Sequence, residues 1–216
     1  MDEYLKDIQD IKSLMENRTR FLSLSGFSGI LAGIYALVGA YVGYQMAISA
    51  PTRAYADIRN GFISPIVIKL LFVAGAVLLA SVITAYIFTQ RKAKMRDESL
   101  WNKASLKAMT AFIVPLATGG IFGLIIISKG FLTLIGPITL IFYGLALYSA
   151  SRYTYRDVAT LGIIEIVLGL VSMFFPGQGI YFWAMGFGVL HIIYGTIMYY
   201  KYDRVEQTSM TSKGEA

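Results

Sequence analysis

Residues 161–200 read LGIIEIVLGLVSMFFPGQGIYFWAMGFGVLHIIYGTIMYY. Two apolar runs are separated by Phe175-Pro176-Gly177-Gln178-Gly179. Proline and glycine together break a helix and set a tight turn, so the stretch predicts two antiparallel helices. One acidic residue, Glu165, interrupts the first run, and His191, the only histidine of the chain, interrupts the second. In a bilayer each such residue is costly, about 2.5–3.5 kcal/mol on insertion scales, and is expected to face a partner or water.

The rest of the chain has the same character. Of its 216 residues 56% are hydrophobic and only 15% charged, with a mean hydropathy of +0.61. A soluble domain carries about 25% charged residues, and the deficit here falls in long uncharged runs. The expected fold is all-α, a polytopic membrane bundle with six transmembrane helices. The spans are expected at 21–48, 65–89, 110–128, 132–150, 160–175 and 181–200. Residues 1–20 carry Leu5, Ile8, Ile11, Leu14 and Met15 at helical spacing, an amphipathic cytosolic helix that lies on the membrane, packs on cytosolic helix ends or extends the first span. Residues 21–204 form the membrane domain, and 205–216 are a polar, disordered cytosolic tail. The acidic start, the length of the first apolar run and Pro51 after Ala50 argue against a cleaved signal, so the first span is expected to be retained.

Lys and Arg collect on alternate connections, around Lys12, Arg18, Arg91, Lys92, Lys94, Lys103, Arg152, Arg156 and Lys201. The opposite side has Arg53, Arg59, Lys69 and Lys129. By the positive-inside rule both termini are expected in the cytoplasm. Phe182 and Trp183 then belong to the outer aromatic belt, and Tyr199, Tyr200 and Tyr202 to the inner one. The net charge of +6 flanks apolar runs and fits anionic headgroups, so membrane lipids and not nucleic acid are the expected partners. The connection 90–109 lacks glycine and proline, which favours protruding helices that reverse at residues 96–99, with Asp97 or Ser99 as N-cap.

Small residues four apart let membrane helices approach closely. Ser25, Gly29 and Gly33, then Gly39 and Gly43, mark span one, and Gly119 with Gly123 marks span three. Internal packing is the simpler use of these strips, and a homo-oligomer or a membrane-protein partner the other. Pro115 and Pro137 either kink their helices or mark where they begin.

Cysteine is absent and histidine occurs once, which excludes a disulfide framework, a thiol nucleophile and any multi-His metal cluster. No serine-hydrolase elbow, zinc-protease or phosphate-loop motif is present, and neither a metal nor an organic cofactor is expected. Counting 1.5 Å per residue from the cytosolic ends places Glu165 about 7 Å deep and His191 about 13 Å deep. Two readings stand for them. Either they form a protonatable site for proton coupling or ligand capture, or Glu165 stays protonated or bonds a neighbour while neutral His191 satisfies a hydroxyl such as Tyr194 or Tyr143. Lys69 reads as a snorkelling anchor.

The run Leu161-Gly162-Ile163-Ile164-Glu165, the segment Phe182-Trp183-Ala184-Met185-Gly186-Phe187-Gly188-Val189-Leu190-His191-Ile192-Ile193-Tyr194-Gly195 and the opening Phe21-Leu22-Ser23-Leu24-Ser25-Gly26 resemble a family of uncharacterised bacterial membrane proteins. That resemblance implies six helices and no particular activity. The Gly162–Gly195 hairpin also resembles six-helix inner-membrane proteins linked to acid resistance. Three functions follow as expectations: a non-enzymatic protein that binds a partner or lipid or supports the envelope; a small proton-coupled carrier or channel using Glu165 and His191; and an intramembrane enzyme built on the same two residues.

Overall fold

The computed structural model describes residues 25–50, 64–95 and 101–204. The amphipathic N-terminal helix, the reversal at 96–99 and the polar tail expected from the sequence lie outside the described residues. All regular structure among the described residues is helical. The helices are α1 (Gly26–Ile48), α2 (Pro65–Met95), α3 (Lys103–Ser128), α4 (Ile135–Ala150), α5 (Asp157–Ser172) and α6, which runs unbroken through Gly179–Asp203. Short 3-10 turns, Leu132–Leu134 and Ser151–Tyr153, lengthen α4 at both ends. Five of these helices are long and apolar enough to cross a membrane. The exception is α5, whose 16 residues reach about 24 Å at 1.5 Å each.

The ends follow local chemistry. Pro65 opens α2 at the first helical position, where a missing N–H costs nothing. Asn102 caps α3 by accepting from the Ser105 amide at 2.8 Å, while the Ser105 hydroxyl accepts from the Asn102 amide at 3.2 Å. This reciprocal box corrects the expected cap at Asp97 or Ser99, because α3 begins only at Lys103. At the other end of α3 the Phe131 amide donates to the Ile126 carbonyl and the Gly130 amide to Ile127, with Gly130 at φ +84°. That left-handed residue closes the α3–α4 turn. Gly177, at φ +86°, does the same service in the turn between α5 and α6. Pro115 lies inside α3 and Pro137 in the first turn of α4. The long α2 and α3 carry their polar flanks as continued helix, so both exceed the lengths read from hydropathy.

Small residues are inside and large apolar ones outside. In α1 the buried positions are Gly26, Ser28, Gly33, Ala36, Gly39, Ala40 and Gly43, whereas Ile34, Val38 and Tyr41 are exposed. In α5 the buried face is Val158, Leu161, Gly162, Glu165, Gly169 and Ser172, and Ile163, Ile164, Val167 and Leu170 point outward. A water-soluble bundle would reverse this order. In lipid, where tails are as apolar as leucine, close backbone contact drives packing instead.

The small residues decide which helices meet. A Cβ at Gly29 would stand 3.3 Å from the Gly195 Cα, and one at Gly33 would stand 2.7 Å from the Gly188 carbonyl, so α1 crosses α6 on this strip. Ser25 stands at its head, bonded to Asp203. Gly39 meets Val77 on α2, Gly43 faces Leu70 and Ile180, and Gly119 lies under Phe142 of α4. Gly123 has nothing within 4 Å of its Cβ direction. A close crossing that the sequence did not mark is α4 on α5, where a Cβ at Gly144 would stand 2.5 Å from the Gly162 carbonyl. Thus α1 packs on α2 and α6, α3 on α4, and α4 on α5 and the start of α6.

Gly144→Ala forces backbone apart at that crossing and is expected to lower unfolding stability in detergent by roughly 1–3 kcal/mol. Gly120→Ala, where no heavy atom lies within 4 Å, leaves stability unchanged or raised. Equal behaviour of the two variants would remove the crossing as a determinant of the fold.

Candidate functional site

Three polar side chains meet at the middle of the bundle. Tyr143 and Glu165 are each the ninth residue of 16-residue helices, α4 and α5. His191 is the thirteenth of the 25 residues of α6. Glu165 is therefore about 12 Å from the start of α5 and His191 about 18 Å from Asp203, at 1.5 Å per residue. These distances from the helix ends exceed the roughly 7 and 13 Å counted from the span ends read in the sequence, because α5 starts earlier and α6 ends later than hydropathy alone indicates.

The Tyr143 hydroxyl lies 2.7 Å from His191 Nε2, and His191 Nδ1 lies 3.0 Å from the Gly186 carbonyl. A carbonyl only accepts, so Nδ1 carries the hydrogen. In the neutral ring Nε2 then accepts from Tyr143. Glu165 Oε1 is 3.6 Å from Nδ1, close enough for an ion pair and too long for a hydrogen bond. The glutamate side chain is 0% exposed, and neither of its oxygens has a hydrogen-bond partner among the described residues. The rings of Phe187 and Tyr143 flank the imidazole at 6.1 and 5.3 Å, Tyr143 is 4.9 Å from Phe187, and Phe112 meets Tyr143 edge-on at 5.9 Å.

Local winding builds this geometry. Residues Ala184–Leu190 of α6 form a π-helical segment. Such wider turns recur at functional sites. Here the segment presents the Gly186 carbonyl to the His191 ring, five residues on in the same helix. It also leaves room for the acid, because a Cβ at Gly186 would overlap Glu165 Oε2 and the Leu140 side chain.

The other sequence-derived candidate, Tyr194, is not the hydroxyl that His191 engages. Its own hydroxyl is buried without a hydrogen-bond partner among the described residues. It packs instead with Leu147 and Tyr202 against Tyr155, Val158 and Met198.

A second polar assembly joins helix ends. Lys92 Nζ donates to Asp203 Oδ1 at 2.6 Å, and Asp203 Oδ2 accepts from the Gly26 amide at 2.9 Å and the Ser25 hydroxyl at 3.2 Å. Lys92 also reaches the Tyr155 hydroxyl at 3.4 Å. The aspartate thus caps α1 while pairing with α2, and both side chains are 10% exposed or less. Nearby, Lys201 and the Tyr202 hydroxyl each donate to Asp157 Oδ2 at 2.7 Å, tying α6 to the start of α5. These contacts gather the ends of α1, α2, α5 and α6 on one basic face, opposite Lys69 and Lys129. Sequence reasoning took Lys92 as a topology charge only. The available signal was an aspartate ending the last span and a lysine ending the second, on the same expected side.

Among the described residues no three His, Cys, Asp or Glu side chains gather as a metal site. Comparison with known proteins returns no matching family model, no matching curated protein and no matching solved structure.

Removing one member of the Lys92–Asp203 pair strands a buried charge, which typically costs 3–5 kcal/mol. Asp203→Asn and Lys92→Met are each expected to destabilise the folded chain on that scale, and the double variant to recover part of the loss. A double-mutant cycle with no coupling would show that the contact contributes nothing.

Proposed function

We propose that the chain is a six-span integral membrane protein of a bacterial cytoplasmic membrane, both termini cytoplasmic, that works as a small proton-coupled carrier centred on Glu165, His191 and Tyr143. The sixth span in this reading is α5, too short alone but extended by its flanks or met by a locally thinner bilayer. The alternating direction of the helices and the collection of Lys and Arg at one end support the orientation.

One observation carries the functional reading. Glu165 is fully buried at mid-helix, without a hydrogen bond, and faces an imidazole at 3.6 Å. A polar group kept for structure is normally satisfied, since an unsatisfied one costs about 1–3 kcal/mol. An acid left open beside a ring that takes and releases protons is the arrangement used to hold an exchangeable proton. The imidazole is bonded on both nitrogens, so its orientation is fixed for transfer.

The test uses the full chain in liposomes loaded with a pH-sensitive dye, with the proton itself as the probe. Wild type is expected to dissipate an imposed pH gradient, and Glu165→Gln or His191→Ala to lower that flux at least ten-fold while keeping helix content and monodispersity. Flux equal to that of empty vesicles, or unchanged by Glu165→Gln, contradicts the reading.

A second reading, a non-enzymatic protein that binds a membrane partner or lipid, is favoured by α2 and α3. Only Val67, Lys92 and Ala93 are buried in the 31 residues of α2, and only four residues in α3. Gly123 offers an empty position on α3. If that face pairs with a second copy, Gly123→Leu converts a dimer to a monomer in nanodiscs without loss of stability. A wild-type chain that is monomeric at every lipid dilution contradicts pairing there.

A further inference from the structure

A carrier opens its site to one face at a time, so the mid-bundle trio needs a closure on each side. We propose that Phe187, braced by Leu140, is the gate residue that closes the trio toward the Gly179 end of α6, the end away from Asp203. The proposal rests on the reading of Glu165 as a proton site.

One turn from the trio toward that end, the three helices that carry it become apolar. Phe187 stands four residues before His191 on α6, and Leu140 three before Tyr143 on α4. Gly169 stands four after Glu165 on α5, which runs the opposite way, and there α5 lies directly on Ile141 and Pro137 of α4. The hydroxyls near this layer turn back on their own helices. Thr139 donates to the Ile135 and Gly136 carbonyls, and Ser172 to the Gly169 carbonyl.

Phe187 touches both rings that it covers. Its centroid is 4.9 Å from that of Tyr143 and 6.1 Å from that of His191, on which it stacks at 25°. Trp183, a further turn out, backs it at 5.0 Å. Leu140 is 0% exposed and shares with Glu165 Oε2 the notch left by the bare Cα of Gly186, so it is held in place. Phe187 and Trp183 are only half-buried. A turn of the Phe187 side chain therefore opens the layer without displacing a helix. Apolar constrictions of this kind gate by dewetting, closed to water when narrow and open to it when widened. Phe187 also belongs to the π-helical segment Ala184–Leu190, so the stretch of α6 that shapes the site carries its gate as well.

The experiment places full-length protein, labelled with 15N-histidine, in liposomes. Water-edited solid-state NMR then follows transfer of magnetisation from water to the ring of His191, the only histidine. Wild type is expected to build up slowly, and Phe187→Ala at least five-fold faster, because water enters where the ring stood. Phe187→Val, a milder truncation, is expected to speed the build-up at least two-fold. Phe187→Leu, which keeps the layer filled, is expected to behave as wild type. Build-up in folded Phe187→Ala or Phe187→Val equal to that of wild type overturns the gate. So does a rise in Leu147→Ala, one turn from Tyr143 on the basic side, that Phe187→Val lacks. Proton flux separates the two claims. Flux lost in Glu165→Gln with unchanged build-up in the Phe187 variants removes the gate and leaves the carrier. Flux indifferent to Glu165→Gln with faster build-up in Phe187→Ala leaves the seal and removes the carrier.

Discussion

Close backbone contact through small residues is the constraint on which the bundle depends. Among the described residues most large apolar side chains point outward, and only a few, such as Ile138, Leu140, Leu161 and Met198, are buried between the helices. The strip Ser25, Gly29 and Gly33 against Gly188 and Gly195, and the crossing of Gly144 on Gly162, supply dispersion contacts. The same economy of volume leaves little room inside for anything bulky. Leu140 and Met198 are among the few large side chains fully buried, and Glu165 is another. A carboxylic acid thus occupies one of the scarce interior positions, against a glycine of the neighbouring helix.

Helix packing and chemistry are joined in α6. Gly188 and Gly195 face α1, while Gly186, Phe187 and His191 face the acid and the tyrosine. The π-helical segment Ala184–Leu190 lets one helix do both, because its wider winding shifts which residues point to which neighbour. At the basic end Asp203 is shared between an ammonium, a backbone amide and a hydroxyl, so three helix ends are fixed by one carboxylate. Such a knot holds the ends rigid while the middle carries the unsatisfied group.

The Pro176-Gly177 hairpin and the positions of the apolar helices were legible in the sequence, because proline, glycine and long apolar runs have few alternative uses, whereas the 3.6 Å approach of Glu165 to His191 was left open between two readings. Tyr143 was legible only as one of two hydroxyls. Choosing between it and Tyr194 requires the rotation of α6, which a π-helical segment alters and which apolar periodicity does not record. The helix ends beyond Glu165 and His191 were hidden for a related reason: Asp157 and Tyr202 are polar yet helical, and hydropathy ends a span where charge begins. The Lys92–Asp203 pair was hidden because positions 111 residues apart are joined only by the way α1, α2 and α6 pack. Asn102 displaced the expected cap of α3 by reciprocal bonding with Ser105, which a scan for acidic caps passes over.

Because the chain contains a single histidine, its imidazole can be observed without assignment. The central claim is that this ring is held at mid-bundle between a hydroxyl and a carbonyl. Solid-state 15N spectra of the labelled protein in lipid are expected to show a neutral ring with hydrogen on Nδ1 and a hydrogen-bonded, bare Nε2 that shifts in Tyr143→Phe. A ring with hydrogen on Nε2 at rest, or one indifferent to Tyr143→Phe, would contradict the account.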